Sequence, residues 1–331
     1  MNIQKLIRPN IRKLAPYICA RHNRATGIKL DANENPYGNV NRYPDPNATE
    51  VKKILAKMLD IKAEDIFVGN GSDEAIDLLM RAFCDPGEEI IVLDPTYRMY
   101  KVAAGINDLK VKSVPLTKDF QINVEKTLSS ISKKTKIIFT CSPNNPTGNL
   151  LKKKDIFELC KNFKGIVAVD EAYIEFANEK SCISNSGQYP NLVVLRTLSK
   201  AWGGAGIRVG YATGSPEIIK ALNKIKPPYN VSVLDQKEAV KILSSKTKIK
   251  KILRERNRVS KILKTLVPKV YKSDANFILF EIPNAKHIQE KLQSAGVIIR
   301  NTQIKNCLRV SIGKSGENDK FLRALSNLLK S

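Results

Sequence analysis

The sequence predicts an α/β protein: a large domain with a mostly parallel central sheet sandwiched by helices, followed by a smaller α+β domain. Short apolar runs alternate with amphipathic helical segments through the first two-thirds of the chain, as in a sheet buried on both faces. Each run ends in a cluster of glycine, proline, asparagine, aspartate or hydroxyl residues, at the carboxyl ends where parallel sheets bind ligands. Beyond Pro227-Pro228 the pattern changes to a long charged helical stretch and three further short strands. With 331 residues the chain exceeds the usual size of a single core. We expect residues 33–225 to form the large domain, with residues 1–32 as an N-terminal arm and 226–331 as the small domain.

Residues 1–30 read as a short helix and then an irregular basic segment, Tyr17 to Arg24. The loop Leu30 to Gly38 is dense in turn formers, and Asn41-Arg42-Tyr43-Pro44-Asp45-Pro46 is too rich in proline for a helix or central strand. A helix is expected from Asn47, with Val51, Ile54, Leu55, Met58 and Leu59 on one face. Ile66-Phe67-Val68 is a strand that runs through Gly69-Asn70-Gly71 into a second helix, whose inner face is Ala75, Ile76, Leu79, Ala82 and Phe83. Two readings fit that turn: free amides for an anion, or an ordinary helix start capped by Ser72. Further strands are expected at Ile90 to Leu93, Lys136 to Thr140, Gly165 to Val169, Leu192 to Leu195 and Ile207 to Ala212. Helices are expected at Asp155 to Phe163, Pro216 to Ile225 and, as one charged stretch, Leu234 to Leu266. The last third adds strands at Asn276 to Phe280, Val297 to Arg300 and Cys307 to Ile312, and a closing helix from Asn318 to Leu329.

The formal net charge is +24, but the lysines are spread along the chain and aromatic residues make up only 6%, so no stacking platform for nucleic acid is apparent. Solvated lysine-rich faces explain the charge more simply. No apolar run is long enough for a membrane span, and the charged start lacks a signal core, so a cytoplasmic protein is expected. Six scattered cysteines without a C-x-x-C pair, and only two histidines, argue against a metal site or a disulfide framework.

The densest chemistry lies between Thr197 and Arg208. Two hydroxyls (Thr197, Ser199), one amine (Lys200), a glycine cluster and Arg208 follow a buried strand. Hydroxyls and a guanidinium suit a phosphate, and Lys200 is the only amine between them. A Schiff base with pyridoxal phosphate would use both groups. Taken alone, the stretch also fits a glycine-rich surface loop. Upstream and downstream stand D-A-N-E-N-P (31–36), N-R-Y-P (41–44), C-S-P-N-N-P-T-G (141–148) and D-E-A-Y-I-E-F (170–176), then R-T-L-S-K (196–200), G-I-R-V-G (206–210) and C-L-R-V-S-I-G (307–313). In this order they resemble fold-type I pyridoxal-phosphate enzymes, and within them the histidinol-phosphate aminotransferases.

The resemblance implies a role for each matched residue. Lys200 would carry the aldimine and the proton of the 1,3-shift, Asp170 would pair with the pyridine nitrogen, and Tyr173 and Asn145 would bond the ring hydroxyl. Tyr97 would stack on the ring, while Ser72, Asp73, Thr197, Ser199 and Arg208 would hold the phosphate. Tyr43 resembles a residue that reaches this phosphate from the neighbouring subunit, which implies a homodimer. Arg309 would bind the anionic end of either substrate, with Arg300, Tyr17 and Asn33 completing that end. In isolation Asp170 also fits a helix cap, Asn144-Asn145-Pro146 a simple turn, Tyr97 a core aromatic and Arg300 a surface charge. The stretch from Arg300 to Arg309 is shorter than the family pattern. The implied reaction exchanges an amino group between L-histidinol phosphate and 2-oxoglutarate. An aromatic aminotransferase or a threonine-phosphate decarboxylase on the same scaffold is the nearest alternative. A basic nucleic-acid-binding protein with a degenerate aminotransferase fold is the alternative from a different class.

Overall fold

The computed structural model describes residues 1–22 and 27–330; Asn23 and Arg24 of the expected basic segment, and Ser331 at the end of the small domain, lie outside the described residues. The short helix α1 (Pro9–Lys13) follows a 3-10 turn whose Ile3, with Ile7 beyond it, is buried in the core of the large sheet. The Arg8–Asp85 ion pair at 2.7 Å and bonds from Lys224 to the Ile11 and Arg12 carbonyls fix this arm. Next come α2 (Thr49–Leu59), β1 (Ile66–Asn70), α3 (Ser72–Phe83), β2 (Glu89–Asp94), α4 (Met99–Ile106), β3 (Lys110–Pro115) and α5 (Val124–Ser129). β4 (Thr135–Cys141), α6 (Lys153–Asn162), β5 (Ile166–Asp170), β6 (Leu192–Thr197), β7 (Val209–Thr213) and α7 (Pro216–Ile225) complete the seven-stranded sheet and its cover.

The strand order is β1-β7-β6-β5-β4-β2-β3; all pairs from β6 to β3 are parallel, and β7 alone runs against the others. Alternate side chains fill the two faces. Ile90, Val92, Phe139, Ala168 and Leu195 pack under α3, α4 and α7, whereas Ile91, Leu93, Ile138, Val169 and Val194 pack under α6. The expected sandwich is therefore present. β3, α4 and α5 were not expected. Lys110, Lys112 and Ser113 interrupt the apolar pattern of β3, which sits at the sheet edge where one side needs no partner.

α8 (Val233–Leu243) packs on α2 and β7, closing the core around Val51, Leu55, Val209 and Tyr211. α9 (Ile249–Leu266) is separate, so the single helical stretch expected from Leu234 to Leu266 is corrected to two helices. The Ser244 amide makes the last bond of α8, to the Val240 carbonyl, and the Ser245 hydroxyl then donates to the Lys241 carbonyl, the local side-chain competition that ends helices at serine. β8 (Lys269–Val270), β9 (Phe277–Glu281), α10 (Ala285–Ser294), β10 (Arg300–Asn301), β11 (Cys307–Ser311) and α11 (Ser315–Leu328) form the second unit. Its antiparallel sheet has the order β10-β11-β9-β8 over a core that includes Leu263, Phe280, Leu308 and Phe321. Instead of a strand at Val297 to Arg300, only Arg300–Asn301 pairs, after a bend in which Gly296 has φ +73°. Among the described residues no helix is long and apolar enough to cross a membrane.

Candidate functional site

Every polar cluster after β1, β2, β4, β5 and β6 reaches the same edge of the large sheet. Ten of the expected residues line one cavity of about 160 Å³ there: Ser72, Asp73 and Tyr97 from the first two crossovers, Asn145, Asp170 and Tyr173 from the next two, and Thr197, Ser199, Lys200 and Arg208 from the last.

Asp170 ends β5 on the face covered by α3 and α4 and is 3% exposed. Tyr100 donates its hydroxyl to Asp170 Oδ2 at 2.8 Å, and the Ala172 amide donates to Oδ1 at 3.0 Å. Burial still pushes the carboxyl up to about 6, against the effect of these two donors. A cation placed against it would relieve that penalty. Lys200 enters the same space, 5.7 Å from the centre of the Tyr173 ring. Burial, and then the nearby Arg309, lower its pKa.

The anion cradle lies between α3 and the start of β7. Gly71, at φ +79°, starts α3 with no side-chain cap, so Ser72 is the first helical residue rather than the cap that one sequence reading gave it. A Cβ on Gly71 would stand 2.7 Å from Arg208 Nη2, and one on Gly210 would stand 2.3 Å from the Ser72 nitrogen, so only glycine fits either position. Arg208 itself sits at φ +52° and donates to Ser199 Oγ at 3.3 Å and to Asp73 Oδ2 at 3.5 Å. The Thr197 hydroxyl donates to Ser199 Oγ at 2.9 Å. Uncapped amides, two hydroxyls and a guanidinium converge as a phosphate requires.

Across the cavity Asn145 Nδ2 donates to the Tyr173 hydroxyl at 3.4 Å, while its Oδ1 accepts from Arg309 Nη1. Arg309 lies 5.1 Å above the Phe277 ring, its Nε is buried without a hydrogen-bond partner, and burial lowers its pKa. The short hairpin from β10 to β11 pairs Arg300 directly with Arg309, so both guanidiniums leave the same face. They line a second cavity, of about 550 Å³, and Arg300 is exposed.

The remaining expected residues lie elsewhere. Asn33 and Tyr43 line a third cavity, where Tyr43 stacks on Tyr229 with ring centres 4.3 Å apart. Tyr17 is 72% exposed and lines none of these three cavities. Tyr100 and Phe277 were missed. Tyr100 shares the inner face of α4 with Ala103 and Ala104, a helical spacing that could have flagged it. Phe277 reads in sequence only as one apolar residue of a strand. Among the described residues no group of three or more metal-ligating side chains occurs, and the six cysteines are free and buried.

These residues fit pyridoxal phosphate. Among the described residues the buried Asp170 has no ion-pair partner, Gly210 leaves no room for a Cβ beside the Ser72 amide, and Lys200 lines the same cavity as both Asp170 and Ser72. The sequence profile of aminotransferase class I and II matches residues 20–325. The histidinol-phosphate aminotransferase of Parabacteroides distasonis is 45% identical over 342 residues, covering 99% of each chain. Among solved structures, the histidinol-phosphate aminotransferase of Clostridium acetobutylicum has a TM-score of 0.80 at 27% identity, over 88% of this chain and 92% of that one. The fold is shared with the Sinorhizobium meliloti histidinol-phosphate aminotransferase in complex with pyridoxal-5'-phosphate, with a TM-score of 0.82 at 24% identity, over 87% of this chain and 83% of that one. With a family match over most of its length and this likeness in sequence, the chain belongs to the class I and II aminotransferases, and within them to the histidinol-phosphate aminotransferases.

Proposed function

We propose that this aminotransferase moves the amino group of L-histidinol phosphate to 2-oxoglutarate, giving imidazole acetol phosphate and L-glutamate, with pyridoxal phosphate as cofactor. The observation that supports it best is a single cavity holding an amine of lowered pKa (Lys200) and a buried carboxylate (Asp170), with Arg309 bonded to its wall through Asn145.

When bound, pyridoxal phosphate supplies an electron sink for the carbon that loses its proton. Asp170 would hold the ring nitrogen cationic, Tyr173 and Asn145 would bond the ring hydroxyl, and Tyr97 would cover the ring. Ser72, Asp73, Thr197, Ser199 and Arg208 would hold its phosphate. Lys200 would anchor the cofactor through its Nζ; once free, that nitrogen would take the proton from the amine-bearing carbon and return it two bonds away, beyond the nitrogen. Its lowered pKa favours the neutral, proton-accepting amine. Arg309 orients the substrate, because a planar guanidinium grips a phosphate or a carboxylate by the same two parallel hydrogen bonds. One arginine can thus serve both substrates in turn, with Arg300 beside it. Tyr17 and Asn33 would reach that end.

On this proposal the protein is a cytoplasmic homodimer in which Tyr43 of one subunit reaches the cofactor phosphate of the other. Residues 33–225 would form the cofactor domain and 1–32 and 226–331 the N-terminal arm and small domain, with Ile3, Ile7 and α8 packed back on the cofactor domain. The outward placement of Tyr43 and the exposed Tyr17 favour such an assembly.

A visible absorbance titration of the yellow holoenzyme tests the reaction. L-histidinol phosphate should bleach it, and 2-oxoglutarate should restore the colour. Bleaching by L-phenylalanine alone would move the substrate to aromatic amino acids. Release of CO2 from L-threonine phosphate with the colour retained would point to decarboxylation.

A further inference from the structure

The motifs that carry Asp170 and Lys200 also contain Glu171, Glu175 and Arg196, and Trp202 follows two residues after Lys200; these side chains stand behind the cavity. Successive residues of a strand point to opposite faces. Asp170 and Thr197 face the cofactor side, so Glu171 and Arg196 face the other, where Arg196 is paired in register with Tyr211. There the Arg196 side chain, 7% exposed, donates from Nη2 to Glu175 Oε1 at 2.6 Å and from Nη1 to Glu171 Oε2 at 3.4 Å. Glu175 Oε1 also accepts from Trp202 Nε1 at 3.3 Å. Glu171 is fixed in turn by the Cys182 amide at 2.7 Å and by the Ser181 hydroxyl. The end of β5, the end of β6 and the Lys200 turn are therefore tied at one buried point.

Trp202 links this point to the small domain. It packs against a cluster in which Tyr173 and Ala201 meet Ala275 and Phe277, and Phe277 is the ring beneath Arg309. Buried ion pairs add little net stability, because desolvation offsets their attraction. What this one fixes is an alignment. We propose that Glu175, Arg196 and Trp202 are positioning residues that hold the Lys200 turn in line with Asp170 and with the domain bearing Arg309. The proposal rests on the function given above, since only there must Lys200 and Arg309 meet one substrate.

Trp202 is the only tryptophan of the chain, so its fluorescence reads the contact directly, with or without cofactor. Glu175→Gln keeps an oxygen for the indole and removes the charge that Arg196 grips. In the cofactor-free protein its emission should shift from that of the wild type. In the holoenzyme, kcat should fall on the order of 10²-fold, the loss that a misplacement of about 1 Å produces, with KM for the amino donor changed less than about twofold. Trp202→Phe keeps an aromatic ring and so most of the packing, and should lower kcat roughly tenfold; it decides the matter if Glu175→Gln does not fold. Emission unchanged in Glu175→Gln, or a kcat within about twofold of wild type in the folded variants, overturns the proposal whatever happens to thermal stability. An inactive wild type would refute the functional reading instead, leaving the emission measurement to judge the contact.

Discussion

Around Asp170 the chain supplies its own hydrogen-bond partners from α4 and the β5 turn, whereas between residues 17 and 43 it turns apolar groups to the outside. Tyr17 is 72%, Ile28 91%, Leu30 86% and Tyr37 83% exposed in that second region, too much apolar surface to expect on a face that stays in water. Yet the loop from Asp31 to Tyr43 is tied down by ion pairs from Arg21 and Arg42. Burial pushes the Glu34 carboxyl up, but Arg42, the Tyr43 amide and Arg21 outweigh this and hold it at about 2. The Tyr43 amide donates to it at 2.6 Å, which sets where the tyrosine stands. One region is finished within a single chain; the other is held in shape with its apolar side chains exposed. A second copy covering it, as in the proposed dimer, would bring Tyr43 to the phosphate cradle.

The largest expected effect lies in the self-contained region. Lys200→Ala removes both the anchor and the proton carrier, so steady-state turnover should fall by at least roughly 10⁴-fold and the bound colour should vanish. Next is Asp170→Asn. Burial raises the folded carboxyl to about 6, above the ordinary aspartate value of about 4, so in the cofactor-free protein this group contributes stability that is full below about 4 and lost as pH rises through about 6. The asparagine variant should therefore be more stable than cofactor-free wild type at pH 8, by at most ~3 kcal/mol in urea unfolding. It should also bind cofactor more weakly and turn over far more slowly. Equal stability at pH 8 would mean that the buried charge is already compensated.

Arg309→Gln tests the substrate end. kcat/KM should fall roughly 10²-fold for both the amino donor and the oxo acceptor, as expected for a lost bidentate charge-assisted pair. Arg309 lowers the Lys200 pKa, so its loss should raise that pKa and move the acid limb of the pH–rate profile to higher pH. A loss for one substrate only would assign the other to Arg300. The smallest effect belongs to the outward region. Tyr43→Phe removes one hydroxyl, so cofactor affinity should fall about fivefold by equilibrium dialysis while kcat at saturating cofactor stays within about twofold.

The two regions also differ in how far the sequence revealed them. The strands and the gathering of the polar clusters at one sheet edge were legible because each cluster follows an apolar run in a sheet whose strands mostly point one way, whereas the roles of Asp170, Tyr173, Asn145 and Tyr97 within those clusters came from family likeness. The Tyr100 hydroxyl on Asp170 was not, since a buried tyrosine on an apolar helix face looks like any other core residue. The break between α8 and α9 was hidden by continuous charge patterning, and β3 by its lysines. Tyr43, Asn33 and Tyr17 were reached only through family likeness, because they stand in irregular segments that leave no periodic trace in the sequence.

Mixing two variants defective at different positions tests the shared site most directly. Lys200→Ala and Tyr43→Ala would be assayed singly and after joint unfolding and refolding, with cofactor kept below the affinity of the tyrosine variant. If Tyr43 serves the neighbouring subunit, half the dimers are hybrids with one intact site, and the mixture should regain roughly a quarter of wild-type activity. Activity no higher than the average of the separate variants, in a mixture shown to contain hybrids, would place Tyr43 within its own subunit's site or outside any site and contradict the account.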